Sequence, residues 1–235
     1  MIALSRKPEV LHERRVIIYD SNHWKKLDEL RSKASEVLLQ LKSAGMDAYV
    51  YGSVARGDTS RTSDIDIVIL DVIPSYRVEL SLGKGVKREL IQATPSSVLK
   101  AHLHLDIETV VSFPLFKMMS REREFYQWGG LASLQDLSSQ TRKPGVDKRL
   151  VLIEPTDSGH TEQGVIDYEW YVSKTLGVSL AIAQERVRVL KRRDAVGRTG
   201  VYRTYQLADD ETFEIAAKKL TDSDPALRRT IRRRE

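Results

Sequence analysis

The chain has 235 residues, a net charge of +5 and a pI near 9.3. It contains no cysteine, which excludes disulfides, zinc–thiolate sites and thiol nucleophiles. No apolar run approaches the roughly 20 residues needed to span a bilayer, and the first residues lack an apolar core of signal-peptide length. We therefore expect a cytoplasmic protein with no membrane partner, and its basic balance favours a polyanionic partner or substrate.

The first predicted elements are a strand at residues 16–19 and a long helix. Ser21 or Asn22 can cap the start of this helix, and Gly45 is placed to end it. Its apolar residues recur at steps of three and four, as an amphipathic helix requires: Trp24, Leu27, Leu30, Ala34, Leu38 and Leu41.

A pair of acids in the next strand is the first feature that points to chemistry. Asp64 and Asp66 alternate with Ile65, Ile67 and Ile69, so both carboxylates project from one face of the strand, about 7 Å apart. Two carboxylates in this arrangement repel each other unless a cation lies between them. Mg²⁺ fits best because it prefers oxygen ligands and retains positions for water and phosphate.

A glycine–serine turn precedes the acids. Gly52 lets the backbone approach a phosphate closely, and the hydroxyl of Ser53 with nearby amides can hold phosphate oxygens. Arg56 and Arg61 flank the loop; either can stabilise the charge of a triphosphate or have a purely structural role.

The pair Gly52-Ser53, followed eleven residues later by Asp64-x-Asp66, resembles the signature of the DNA polymerase beta nucleotidyltransferase superfamily, in its prokaryotic and archaeal form. The resemblance implies an α+β fold with a mixed sheet and helices. It also implies a nucleoside triphosphate substrate and a two-metal site for Mg²⁺, with Mn²⁺ as an alternative.

Two-metal chemistry requires a third carboxylate beside the acidic strand. Residues 102–111 alternate with period two and predict one strand, with His102, His104, Asp106 and Glu108 on one face. In the superfamily the third acid stands between apolar residues on a neighbouring strand, so we assign it to Asp106, with Glu108 as the alternative. The two histidines receive no role.

The middle of the chain predicts helical segments within residues 76–92, interrupted by a loop or kink at Gly83-Lys84-Gly85, and a helix at 115–128. Residues 131–148 lose periodicity and gain turn-forming residues. We therefore expect a nucleotidyltransferase catalytic domain at residues 1–144 and a second domain at residues 145–235.

The second domain resembles a winged helix-turn-helix. A short strand at residues 149–153 precedes predicted helices at 164–176 and 180–192, with Leu-Gly-Val-Ser between the helices. The alternating residues 201–207 would form the wing. Residues 228–234 are expected to be a basic, disordered tail.

Basic residues concentrate around the second helix and the wing. This cluster could contact the phosphates of DNA or RNA, or the module could instead support a homodimer or dock on the catalytic domain. The basic residues are Arg186, Arg188, Lys191, Arg192, Arg193, Arg198 and Arg203.

These observations predict Mg²⁺-dependent transfer of a nucleoside monophosphate from a triphosphate to an acceptor hydroxyl. Two other functions remain open. One is a nucleotide-sensing, DNA-binding transcriptional regulator with little or no transferase activity, and the other is an antitoxin-like partner that nucleotidylates another protein.

Overall fold

A computed structural model describes residues 8–197 and 200–234. They form two compact units, each assembled from separate stretches of the chain. The first unit contains residues 8–31, 51–63 and 124–197, and the second contains 32–50, 64–123 and 200–234. The boundary predicted at residue 144 does not coincide with this division, because the last stretch of the chain shares a unit with the acidic strand.

The elements follow the chain in this order. The strands are β1 (Arg15–Ile18), β2 (Ala48–Tyr51), β3 (Ile65–Ile69), β4 (Lys87–Gln92), β5 (Lys100–His104), β6 (Thr109–Pro114), β7 (Leu131–Ser133), β8 (Gly145–Val146), β9 (Val151–Thr156), β10 (Gly159–Gly164) and β11 (Arg203–Gln206). The helices are α1 (Ser21–Ser43), α2 (Ser53–Arg56), α3 (Ser75–Leu82), α4 (Ser120–Trp128), α5 (Leu134–Ser138), α6 (Glu169–Leu176), α7 (Leu180–Val196), α8 (Phe213–Ser223) and α9 (Pro225–Arg232).

The first unit contains an antiparallel sheet in the order β1-β10-β9-β8, with helices α6 and α7. The helix pair with an intervening turn is confirmed: Gly177 has a φ of 64°, and the amide of Ile182 donates to the hydroxyl of Ser179 at 3.3 Å. A buried core connects the helices and the sheet, formed by Trp128, Val146, Leu150, Leu152, Val165, Ile166, Val172, Leu176, Ile182, Ala183 and Val187.

In the second unit, six strands lie in the order β11-β4-β5-β6-β3-β2. The sheet is mixed as predicted, because β3 and β6 are parallel while β6, β5, β4 and β11 pair antiparallel. Ile65, Ile67 and Ile69 are each at most 1% exposed, which confirms the predicted inward face of the acidic strand. On the same side of the sheet, Phe113 packs edge-to-face against Phe213, with ring centroids 5.4 Å apart.

The helix predicted at residues 76–92 is wrong in its second half. The helix α3 ends at Leu82, and residues 87–92 form the strand β4. Gly83 and Gly85 have φ values of 80° and 62°, which glycine adopts without strain, so the helix cannot continue through them. Two other helices are shorter than predicted, since α4 begins at Ser120 and α6 begins at Glu169.

The predicted wing is also wrong. The strand β11 exists, but it pairs antiparallel with β4, placing Arg203 opposite Gln92 and Gln206 opposite Glu89. The segment therefore extends the sheet that carries the acidic strand, and no wing is formed by the described residues.

The predicted basic tail is a helix in the structure. Asp224 caps α9 by accepting the amides of Ala226 and Leu227, at 2.7 and 3.2 Å. Within the described stretches of the chain, no helix has the length and apolar character that a membrane crossing requires.

Candidate active site

The glycine–serine turn belongs to the first unit. Gly52 has a φ of 79° and precedes the short helix α2, which Gly57 ends with a φ of 100°. The amide of Gly52 donates to the carbonyl of Gly130 at 3.0 Å, which anchors the turn. A Cβ at Gly52 would have no protein atom within 4 Å, so the space beside this backbone is open. Here glycine supplies both the left-handed conformation and an open surface for a ligand.

Arg56 has a structural role, which is one of the two roles that the sequence left open. Its guanidinium is buried and makes two hydrogen bonds to the carboxylate of Asp58, at 2.9 and 3.0 Å. A third bond joins it to the carbonyl of Gly129 at 2.6 Å. These bonds hold the loop after the turn, so the expectation that Arg56 contacts a triphosphate is corrected. Arg61 is exposed in the same loop, so we still expect it to contact a triphosphate.

The acidic strand belongs to the second unit and has the predicted geometry. Asp66 lies within β3 and is half-buried, and Asp64 comes immediately before the strand and is exposed. Their backbone alternates with the buried isoleucines, so both carboxylates project to the opposite side of the sheet.

The structure places Asp106, the expected third carboxylate, in a turn and not on a strand. The predicted strand at 102–111 is two strands, β5 and β6, joined by a turn that contains Asp106. One oxygen of Asp106 accepts the amides of Glu108 and Thr109, at 2.8 and 2.7 Å. Burial acts to raise the pKa of this exposed carboxyl, but the hydrogen bonds prevail and lower it. Asp106 therefore stabilises the turn and does not lie on the strand face.

Glu108 lies immediately before the stretch of β6 that pairs with the acidic strand. The strands β3 and β6 run parallel with Ile65 opposite Thr109 and Asp66 opposite Val110. The amide of Ile65 donates to the carbonyl of Glu108 at 2.7 Å, a bond of this parallel ladder. Registered partners project to the same side of a sheet, and we call the side that carries Asp66 the acidic face.

Asp64, Asp66 and Glu108 offer the carboxylate oxygens that Mg²⁺ prefers. Among the described residues, the ligand atoms of these three do not gather within 4.8 Å of one another. Lys33 in α1 also reaches this group, with its Nζ atom 3.3 Å from an oxygen of Glu108.

The acidic face continues across β5 and β4 with residues that the sequence left without a role. His104 is opposite Val110 in β6 and opposite Lys87 in β4. His102 is opposite Ser112 and Glu89 in the same two strands. We missed Glu89 because we expected a helix there. The alternation of charged and apolar residues after Gly85 was the signal that could have identified the strand.

The described residues of the predicted nucleic-acid cluster fall in both units. Arg186 packs over the ring of Phe125 at 5.0 Å and is half-buried, and Arg203 is in the second unit, ion-paired with Asp224. Arg198 lies outside the described residues. The remaining four are exposed on α7: Arg188, Lys191, Arg192 and Arg193.

The first unit also contains a cavity of about 680 Å³. In its wall the hydroxyl of Tyr19 lies 2.6 Å from Nδ1 of His160, which is buried. Burial raises the pKa of Tyr19 and lowers the pKa of His160, so the pair is neutral near pH 7. Asp58 and Thr59 line the same cavity, and they come from the loop that follows the glycine–serine turn.

Comparison with known proteins agrees with the site. Residues 31–119 match the family model described as a nucleotidyltransferase domain. The matched stretch contains the glycine–serine turn, both aspartates of the acidic strand and Glu108. No curated protein and no solved structure matches the chain significantly.

Residues 31–119 therefore match a polymerase beta-like nucleotidyltransferase domain, and this match supports nucleotidyl transfer as the general activity. The match ends before residue 120, so it does not extend to the two-helix segment of α6 and α7.

Proposed function

We propose that this protein is a metal-dependent nucleotidyltransferase that moves a nucleoside monophosphate from a nucleoside triphosphate to an acceptor hydroxyl. The observation that supports the proposal is the acidic strand, with Asp66 in β3 and Asp64 immediately before it, within the stretch that matches the family model.

In this proposal the acceptor oxygen bonds to the α-phosphorus, the bond between the α- and β-phosphates breaks, and pyrophosphate leaves. The proton of the acceptor hydroxyl passes to solvent. Asp64 and Asp66 would bind Mg²⁺ or Mn²⁺ with Glu108 as the third ligand. The bound ion supplies charge neutralisation for the phosphates and a lowered pKa for the acceptor hydroxyl.

The glycine–serine turn would hold the phosphates of the nucleotide. Gly52 offers backbone that a phosphate can approach, since its Cβ position is open. The hydroxyl of Ser53 donates to the hydroxyl of Ser63 at 3.3 Å. This hydrogen bond is long, so Ser53 could replace it with a hydrogen bond to a phosphate oxygen. Arg61, exposed in the same loop, would add a positive charge to this end of the nucleotide.

The experiment is incubation of the protein with each α-labelled nucleoside triphosphate and Mg²⁺, with RNA, DNA and protein pools as acceptors. Asp66→Asn should lower transfer about 100-fold or more, because it removes a direct metal ligand, and even outer partners of ligands cost 10–100-fold. The control is Asp47→Asn, which removes an exposed carboxylate paired with Lys42.

Labelling of one pool by wild type, and its loss in Asp66→Asn alone, would support the proposal and identify the acceptor class. Nucleotide binding without labelling of any pool would instead favour the nucleotide-sensing regulator. Equal transfer by Asp66→Asn and wild type would refute the assignment of this carboxylate.

The acceptor we propose is a nucleic acid, contacted by α7. Arg188, Lys191 and Arg192 are at helical spacings of three and four, so they share one side of the helix, and all three are exposed. Replacing the three with serine should weaken binding of RNA or DNA. It should also make the slope of log affinity against log salt concentration shallower, by roughly one phosphate contact per residue. Binding with an unchanged salt slope would exclude this surface, and Lys25→Ser in α1 is the exposed control.

A further inference from the structure

A cluster of two histidines and a glutamate lies on the acidic face of the second unit, on strands that the proposed transfer reaction does not use. Glu89 in β4 is directly opposite His102 in β5, and His104 follows two residues along the same side of β5. A ring nitrogen of each histidine and one carboxylate oxygen of Glu89 all lie within 4.8 Å of one another.

The hydrogen bonding within the cluster is incomplete. Nε2 of His104 lies 2.8 Å from Oε1 of Glu89. Nε2 of His102 is screened from solvent and has no hydrogen-bond partner. An unsatisfied buried nitrogen costs free energy, so its position requires an explanation. A ligand at this nitrogen would supply one.

The protonation states of the cluster suit a cation. Burial, assisted by the charge of Lys100, lowers the pKa of His102 to about 3, so the imidazole is neutral near pH 7 and keeps a lone pair. Burial acts to raise the pKa of Glu89, but hydrogen bonds from Lys87 and His104 outweigh it and lower the pKa. The carboxylate is therefore ionised, and Lys87 holds its other oxygen at 2.7 Å.

We propose that Glu89, His102 and His104 bind one transition-metal ion of the zinc class. Two neutral imidazoles and one carboxylate form a common three-ligand set for Zn²⁺, with a fourth position open to water or another ligand. On binding, Oε1 of Glu89 and Nε2 of His104 would exchange their mutual hydrogen bond for the ion. Lys87 would remain on the second oxygen and orient the carboxylate, a role that outer partners of metal ligands commonly have.

This site is distinct from the carboxylates of the transferase site. Asp66 and His104 lie on either side of Val110 in three neighbouring strands. The side chains of Asp66 and His104 are therefore two strand spacings apart, about 10 Å. The donor sets also differ, because imidazole nitrogens favour zinc-class ions and an all-carboxylate set favours Mg²⁺. The charges of Lys87 and Lys100 oppose a further cation, so the three ligands must compensate for that repulsion.

The test is metal binding by the full-length, tag-free protein after removal of metals with a chelator. Titration with Zn²⁺, followed by gel filtration and elemental analysis, should give one ion per chain. Co²⁺ should give the intense visible absorption of a four-coordinate site. His104→Asn and His102→Asn should each weaken Zn²⁺ binding at least 10-fold, whereas His12→Asn, at an exposed histidine, should leave it unchanged.

Asp66→Asn separates the two sites. It should abolish nucleotidyl transfer and leave Zn²⁺ binding unchanged, so the failure of one proposal does not imply the failure of the other. His104 is partly exposed, so His104→Asn remains informative if His102→Asn fails to fold. Absence of stoichiometric Zn²⁺, or wild-type affinity in His104→Asn, would overturn the zinc site.

Discussion

Asp106 and Glu108 are two residues apart, yet the turn between β5 and β6 gives them different tasks. The carboxylate of Asp106 accepts two backbone amides and closes the turn, whereas the carboxylate of Glu108 pairs with Lys33 of α1. Period-two alternation alone treats the two as equivalent. The hydrogen bonds of the turn distinguish them, because a carboxylate that satisfies two amides is not available as a metal ligand without breaking the turn.

Glu108→Gln should lower transfer about 100-fold or more with little loss of stability, because its ion pair with Lys33 is exposed and such pairs contribute at most about 1 kcal/mol. Asp106→Ala should have the opposite profile. It should lose about 1–2 kcal/mol of unfolding free energy, from the unsatisfied amides, and keep its activity per folded molecule. Urea denaturation and initial transfer rates, measured on the same preparations, give both quantities.

The reverse pattern, with an inactive Asp106→Ala and an active Glu108→Gln, would restore the assignment made from the sequence. Asp71→Asn is the control for removal of an exposed carboxylate near the acidic strand, where it pairs with Arg123.

At the scale of elements, α9 is held in the second unit by Arg234, two residues beyond its end. Arg234 is 7% exposed and donates to the carboxylate of Glu122 at 2.5 and 2.9 Å. It also donates to the carbonyls of Lys117 and Ser96, at 3.1 and 2.7 Å. One buried guanidinium therefore anchors the end of the helix to the segments before and within α4.

Arg234→Ala should lower the unfolding free energy by about 2–3 kcal/mol. The substitution leaves Glu122 with a charge that only the amides of Val98 and Met119 then satisfy. The neighbouring Arg232 is exposed on the same helix, and Arg232→Ala should change stability by no more than about 0.5 kcal/mol. Chemical denaturation compares the two, and equal losses would mean that the buried ion pair is not the anchor.

At the scale of the whole molecule, the chain leaves the second unit at residue 123 and returns to it at residue 200. The strand β11 pairs with β4, and buried Arg88 in β4 donates to the carbonyls of Ala208, Asp209 and Glu211. The matched nucleotidyltransferase stretch thus depends on residues about 80 or more positions further along the chain.

A fragment of residues 1–144, the catalytic domain expected from the sequence, should fail to fold cooperatively. It lacks the β11 partner of β4, so it exposes an unpaired sheet edge, and it lacks Phe213, which packs on Phe113. Limited proteolysis and thermal unfolding against the full chain test this. A protease-resistant fragment with a cooperative transition would show that the C-terminal return is dispensable.

The features that could be predicted from the sequence depend on short-range patterns. Helix α1 follows from apolar residues at steps of three and four, and the burial of Ile65, Ile67 and Ile69 follows from alternation within one strand. The turn between α6 and α7 follows from Gly177 and the capping Ser179. Each signal lies within a few residues, where local sterics and hydrogen bonds determine the backbone.

The sequence by itself therefore determined the glycine–serine turn, the paired aspartates and the nucleotidyltransferase class of this region. Only the tertiary structure decided that Arg56 is a structural residue, that Asp106 belongs to a turn and that β11 belongs to the same sheet as the acidic strand. It also brought Glu89 together with His102 and His104. These outcomes depend on which strands pair and in which register, and pairing between distant segments leaves no periodic signal in a single sequence.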